Sequence, residues 1–469
     1  MKIAILHYHL KPGGVTTVLR HQIRALQGDA QLLVISGEKP PPGFPCEVAH
    51  VNGVGYTSGP DPERSPSRIA DDILQSIHRH FGAPCDILHI HNPLLAKNQS
   101  FLDILQLLQD AGLTLFLQIH DFAEDGRPAV CYPNVPYPKD CHYGVINTRD
   151  YHILIQAGLE REGLHYLPNC IVPFEGGSAS GPQRYILYPV RAIRRKNVGE
   201  VLLLSLFIPA DQSIYITQPP NSPADFEIYN DWKAIAKAYR LKVRFEMGRR
   251  HPYPDLVAGA DSVLTTSISE GFGFAFLEPW TAGKGLKGRL LADICQDFSG
   301  AGIRLEHLYT GLQLPKDWLG NQRVLNRFNA CLEFNRRAFG ALWPEAWSEA
   351  CLKSIRQSDC IDFGLLDEPF QKECLELICR DTNRRQEMLE RNQTRMSMMA
   401  GGPTDEVIHH NRERIVSLYH PDRYREKLIA IYRDILERPV RHSIDRRILL
   451  AAFLKENNFS LLKWGGYHD

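Results

Sequence analysis

Short apolar runs that read as buried strands alternate with amphipathic helical runs along the first 170 residues. Residues 2–9 form an apolar strand pattern, and Lys11-Pro12-Gly13-Gly14 a loop. Val15, Val18, Leu19, Ile23 and Leu26 then recur at helical spacing. Strand patterns follow at 31–36 and 46–51, and a Gly/Pro/Ser-rich loop at 52–66 precedes an amphipathic helix over 67–81. Strands at 86–91 and 113–120 flank a helix around 102–108. Parallel strands need such helical crossovers, so the pattern predicts an α/β fold, a parallel sheet covered on both faces. Sheets of this kind bind ligands at the carboxyl ends of their strands. Gly13, Gly14, His91 and His120 all fall at such ends.

The alternation restarts after residue 184, with strands at 185–190, 213–217, 243–247 and 262–266. A chain of 469 residues exceeds one ordinary core, so two domains are expected. The run 173–182, Pro-Phe-Glu-Gly-Gly-Ser-Ala-Ser-Gly-Pro, has linker composition. It separates a first domain at 1–175 from a second at 184–440. A stretch rich in aromatics and helix formers at about 318–360 reads as a helical insertion in the second. Lys plus Arg and Asp plus Glu each number 54, so no global field favours nucleic acid. No apolar run approaches the ~20 residues of a membrane span, and the N-terminus lacks a signal-peptide pattern, which together predict a cytoplasmic protein. The eleven cysteines, with no C-x-x-C, read as reduced thiols. No His, Cys and carboxylate set has a metal-ligand spacing, so no metal is expected.

Two segments carry chemistry. Glu270 and Glu278 bracket Gly271-Phe272-Gly273-Phe274-Ala275-Phe276-Leu277, directly after an apolar strand. Strand, glycine turn and helix start together suit an anion, because free N–H groups and the helix dipole both favour negative charge. Taken alone, Glu278 would equally serve as an ordinary first-turn helix glutamate. Upstream, Arg191-Ala-Ile-Arg-Arg-Lys196 lies between a strand and the helical run 201–204. An Arg that forks onto two oxygens and a Lys that adds a point charge suit a diphosphate. A solvated basic loop would read the same way in isolation. Likewise His120 could be a satisfied structural histidine, and Gly13-Gly14 a plain turn.

The segment SISEGFGFAFLEPWTAG resembles the E-x7-E signature of retaining glycosyltransferases of family 4. That resemblance extends over most of the chain and is weakest at 40–66 and 300–360. It implies the GT-B fold, two Rossmann-like domains facing across a cleft, with 441–469 as a C-terminal helix packing back on the first domain. It also implies site roles. Arg191, Lys196 and the Gly271–Phe274 backbone would neutralise the donor's diphosphate, Glu278 would hold the ribose, and Glu270 would lie beside sugar and phosphate. His120 would contact the donor sugar, and Gly13 and Gly14 would let backbone approach the ligand. The substrate pair would be a nucleotide-diphosphate sugar and a hydroxyl acceptor, a small metabolite or glycan in preference to a lipid. No cofactor is implied, and an Asp-x-Asp motif is absent from the sequence. The chain departs from the family at Val190, where glycine is usual, and at Gly285, where proline is usual. Other GT-B reactions, a sugar-nucleotide epimerase or a phosphorylase, and a non-catalytic nucleotide-sugar-binding protein are the rival readings.

Overall fold

The computed structural model describes residues 1–57, 65–132, 135–178, 184–454 and 459–464. Parts of the expected 52–66 loop, of the 173–182 linker and of the final segment lie outside these residues. The chain divides into two compact units.

The first unit comprises 1–170, 336–344 and 419–454. Its sheet contains β1 (Lys2–His7), β2 (Gln31–Ser36), β3 (Val48–His50), β4 (Ile87–His91), β5 (Leu115–Ile119), β6 (His142–Val145) and β7 (Leu164–Tyr166). All neighbours are parallel, in the order β3-β2-β1-β4-β5-β6-β7. Side chains alternate across the pleat, and β1 shows the consequence. Ile3 and Ile5 enter one core with the helices Gly14–Leu26 and Pro421–Glu437. Ala4 and Leu6 enter the other, with Pro66–Phe81 and Phe101–Asp110. Both faces are therefore covered, as a parallel sheet requires. The order reverses between β1 and β4, which makes their carboxyl ends the switch point where ligands of such sheets bind.

The second unit comprises 171–335, 345–418 and 455–469. Its parallel sheet holds β8 (Arg184–Arg191), β9 (Gln212–Gln218), β10 (Val243–Arg244), β11 (Ser262–Thr265) and β12 (Leu286–Gly288), in the order β10-β9-β8-β11-β12. Its switch point is β8/β11. The β8–β9 register breaks between Tyr188 and Arg191, where Pro189 cannot donate to the ladder. The aromatic-rich insertion is two helices, Asn321–Phe339 and Glu345–Gln357. An antiparallel pair, β13 (Gln313–Pro315) with β14 (Cys360–Asp362), brackets them.

The structure shifts one boundary. Return to the first unit begins at Tyr419, ahead of the expected 441, because Leu428, Ile431, Tyr432 and Ile435 bury against the first sheet. The helix in the expected 441–469 segment is Arg446–Phe453, which belongs to the first unit, and the described residues 459–464 group with the second. Among the described residues no helix is long and apolar enough to cross a membrane.

Candidate active site

Because β8 and β11 are neighbours, the loops at their carboxyl ends meet. Lys196 Nζ donates to Glu270 Oε1, and the two side chains are 14% and 11% exposed. Burial pushes the Glu270 carboxyl up, but the Lys196 and Arg195 charges outweigh it and hold the group below its ordinary value. The loop backbone is tied down as well. Ile268 N–H donates to Arg195 O at 2.9 Å. Thr266 Oγ1 donates to Lys196 O at 2.9 Å, and Tyr188 Oη donates to the same carbonyl. Two of the basic side chains here pair directly with carboxylates. Arg194 pairs with Glu368 at 2.8 Å, and Lys196 with Glu270. Arg191, the last residue of β8, has no carboxylate partner among the described residues. The Arg191 and Lys196 pair expected from sequence therefore stands at one strand end, with Glu270 beside it.

The turn after Glu270 differs from expectation. Gly273 has φ 93°, a left-handed conformation that favours glycine. A 3₁₀ turn at Phe274–Phe276 follows, whose last N–H donates to Gly273 O at 2.8 Å. The helix is only Glu278–Thr281. Glu278 is its first residue. Four residues supply little dipole, so the helix contributes less to anion binding than the sequence pattern implies. Protein crowded around Glu278 pushes its carboxyl up to about 7. The side chain is nevertheless solvent-exposed, and water limits that push. The half-exposed phenol of Tyr253 feels the Glu278 charge.

A buried network behind the basic loop was not singled out in the sequence. Asn197, at φ 53°, donates through Nδ2 to Glu200 Oε2 at 2.8 Å and accepts from Gln371 Nε2 at 2.8 Å. Arg289 forks onto Glu200 at 2.5 and 3.1 Å, and onto Asp362 at 2.6 and 2.9 Å. Tyr309 Oη adds a bond to Glu200 at 2.7 Å. The residues come from four distant segments, so spacing carries no trace of them. An Asn just before a helix was the one local signal.

In the first unit, histidines gather at the β1/β4/β5 ends. His91 Nδ1 and His120 Nε2 are 2.9 Å apart, and their rings stack at 5.2 Å. Burial pulls His120 down to about 4, partly opposed by Asp121, and His7 down to about 3. Asn92 Oδ1 accepts from the N–H groups of His120 and Asp121 at 3.1 and 3.0 Å, which fixes the end of β5. Glu124, near the same strand ends, is turned away from any open surface. It is fully buried, with Arg446 Nη2 at 2.7 Å and Tyr137 Oη at 3.0 Å. His91 is also fully buried, whereas His9 and Asp121 keep some exposed surface. Gly13 and Gly14 open the helix Gly14–Leu26 without positive φ. A Cβ at Gly14 would meet no protein atom within 4 Å, and one at Gly13 only Lys11 O at 3.9 Å. Neither the chain's packing nor its backbone angles require glycine here.

No family model matches the chain. Mannosylglucosyl-3-phosphoglycerate synthase from Petrotoga mobilis is 25% identical over 333 residues. The match covers 63% of this chain and 66% of that relative, just under two thirds of its length. Sucrose-phosphate synthase from Thermosynechococcus elongatus shares the fold with a TM-score of 0.53 at 13% identity, over 92% of this chain and 98% of the other. The fold is that of the GT-B glycosyltransferases. A glycosyltransferase from Rickettsia africae ESF-5 gives a TM-score of 0.50 at 10% identity, over 93% and 98%. These solved structures share the fold with this chain, and the curated relative shares a quarter of its residues over the matched span.

Proposed function

We propose that the chain is a retaining glycosyltransferase of the family 4 type, moving a hexose from a nucleotide-diphosphate sugar to a hydroxyl acceptor. The convergence of Arg191, Lys196 and Glu270 at the adjacent ends of β8 and β11 carries this reading. In the reaction the bond between anomeric carbon and phosphate oxygen breaks, and the diphosphate keeps the electron pair. A bond from the acceptor oxygen forms, and the acceptor loses its proton. Charge grows on the leaving phosphate, where fixed cations are most effective. Arg191 and Lys196 supply them, so no divalent ion is needed. Glu270 orients Lys196 and accepts from a sugar hydroxyl, and Glu278 accepts from the ribose. His120 contacts the donor sugar. Gly13 and Gly14 leave room for ligand that a side chain would fill. The relative's name contains a small phosphorylated acid, which supports a small polar acceptor over a lipid. We assign the protein to the cytoplasm on the same reading.

The test is turnover with a panel of nucleotide sugars, read as nucleoside diphosphate release together with a new glycoside of retained configuration. Arg191→Ala should lower the rate roughly 10²–10³-fold while the melting temperature barely moves. Near-normal turnover in that variant would remove the cradle assignment.

A further inference from the structure

The histidine cluster holds more information than the position of His120. Histidine tautomers follow from hydrogen-bond partners, and two of the four buried rings here, His7 and His89, can be assigned directly by that rule. His7 Nδ1 faces His91 O at 3.3 Å, so His7 carries its proton on Nδ1. His89 Nε2 faces Gln118 Oε1 at 2.9 Å, and that oxygen also accepts from Gln22 Nε2 at 2.6 Å. His89 therefore carries its proton on Nε2, and its Nδ1 accepts from Tyr432 Oη at 2.8 Å. Both rings are neutral at neutral pH, because burial holds each down to about 3.

The contact between His91 Nδ1 and His120 Nε2 allows two arrangements. One ring must donate and the other accept. The other nitrogen of His91, Nε2, is buried and has no hydrogen-bond partner among the described residues. If His120 donated, His91 would carry its proton on that Nε2 and bury an N–H without an acceptor. If His91 donates, Nε2 keeps only a lone pair. Orphaned buried N–H groups are the rarer and costlier case. His91 Nδ1–H thus donates to His120 Nε2, and His120, which is neutral, must carry its proton on Nδ1. His120 is 5% exposed, and Nδ1 is the ring nitrogen left for a ligand.

We propose that His91 is a positioning residue that fixes His120 as its Nδ1–H tautomer, so that His120 meets substrate as a hydrogen-bond donor and not as a general base. The inference deepens the proposed function, since it rests on His120 contacting the donor. It specifies the kind of atom contacted, a hydroxyl or phosphate oxygen acting as acceptor. The groups facing the pair are His7, His89 and Asp121. Only Asp121 favours a charged His120, and its carboxylate is already paired with Arg127.

Ring-¹⁵N histidine NMR of the ligand-free protein reads tautomers directly and needs no turnover, so it succeeds or fails independently of the transferase assignment. Signals are assigned by loss in His120→Asn and His91→Phe. His120 should show a protonated Nδ1 and a bare Nε2 at pH 7. His91→Gln, whose amide can still donate, should keep that pattern. His91→Phe keeps a stacking ring but no donor, and should give a mixed His120 tautomer. With an active donor, His91→Phe should raise KM roughly two- to tenfold, the loss of one hydrogen bond, and His91→Gln should restore much of it. A protonated Nε2 on His120 in the native protein would overturn the proposal. So would an unchanged His120 tautomer in His91→Phe.

Discussion

Glu278 and Glu270 show how two carboxylates of one motif acquire opposite tendencies. Glu270 has Lys196 against it and stays ionised, whereas Glu278 is pushed up to about 7. Because Glu278 is exposed, its titration should fall between the ordinary 4.5 and 7. Below that window the carboxyl is neutral, and above it the charged form accepts more strongly from two hydroxyls. Donor affinity should therefore rise as pH increases through the window. A nucleotide-diphosphate sugar has no group titrating there, and Glu278→Gln should be flat. Binding titrations of both proteins from pH 5 to 8 decide it, and equal slopes would dissociate Glu278 from the ribose. At this scale the sequence exposed most of the candidate site, since Arg191, Lys196, Glu270 and Glu278 lie in two short loops next to apolar strands. It could not distinguish Arg194 from Arg191, because that distinction depends on Glu368, 174 positions away in the chain.

The basic loop is held from behind by the Asn197, Glu200, Arg289 and Asp362 network. Removing the cation from a buried pair strands its partners, which costs about 3–5 kcal/mol. Arg289→Met should reach that range, since it leaves both Glu200 and Asp362 uncompensated. Glu200→Gln should cost less, because its amide oxygen still accepts and Arg289 retains Asp362. Urea unfolding midpoints would rank the two, and the reverse order would contradict the network. The first sheet carries a different liability. His7 and His89 are held to about 3 and His120 to about 4, against an ordinary 6.5. A depressed histidine contributes stability that is fully present above 6.5 and is lost as pH falls toward the folded value. Each adds up to about 1.4 kcal/mol per pH unit in that interval. Unfolding midpoints should drop steeply between pH 6.5 and 4, and a flat profile from 7 to 5 would show that these rings protonate in the fold. Most strand positions were legible to within a residue or two, because apolar runs between turn residues are local, but β10 stops at Arg244 where 243–247 was expected, and the short strands β7, β13 and β14 left no such run. The short helix Glu278–Thr281 was not legible.

For the whole molecule, the reading implies donor binding without a cation. A nucleotide sugar at ~100 times its dissociation constant should add about 2.7 kcal/mol of stability. Thermal shifts measured before and after chelator treatment should agree, and loss of the shift on chelation, restored by Mg²⁺ or Mn²⁺, would count against the cradle. Two α/β units were legible from the repeated alternation. The return at Tyr419 was not, because the helix Pro421–Glu437 is amphipathic in the same way wherever it packs. The β13–β14 pair has a consequence for how such a chain can vary. Its rungs bring Pro315 and Cys360 side by side, and Lys316 N–H donates to Asp359 O at 2.9 Å. The 44-odd residues between leave and re-enter through one doorway. Lengthening or shortening that cassette away from 336–344 leaves the spacing of the doorposts unchanged, so a lineage could remodel it without re-registering the second unit's parallel sheet.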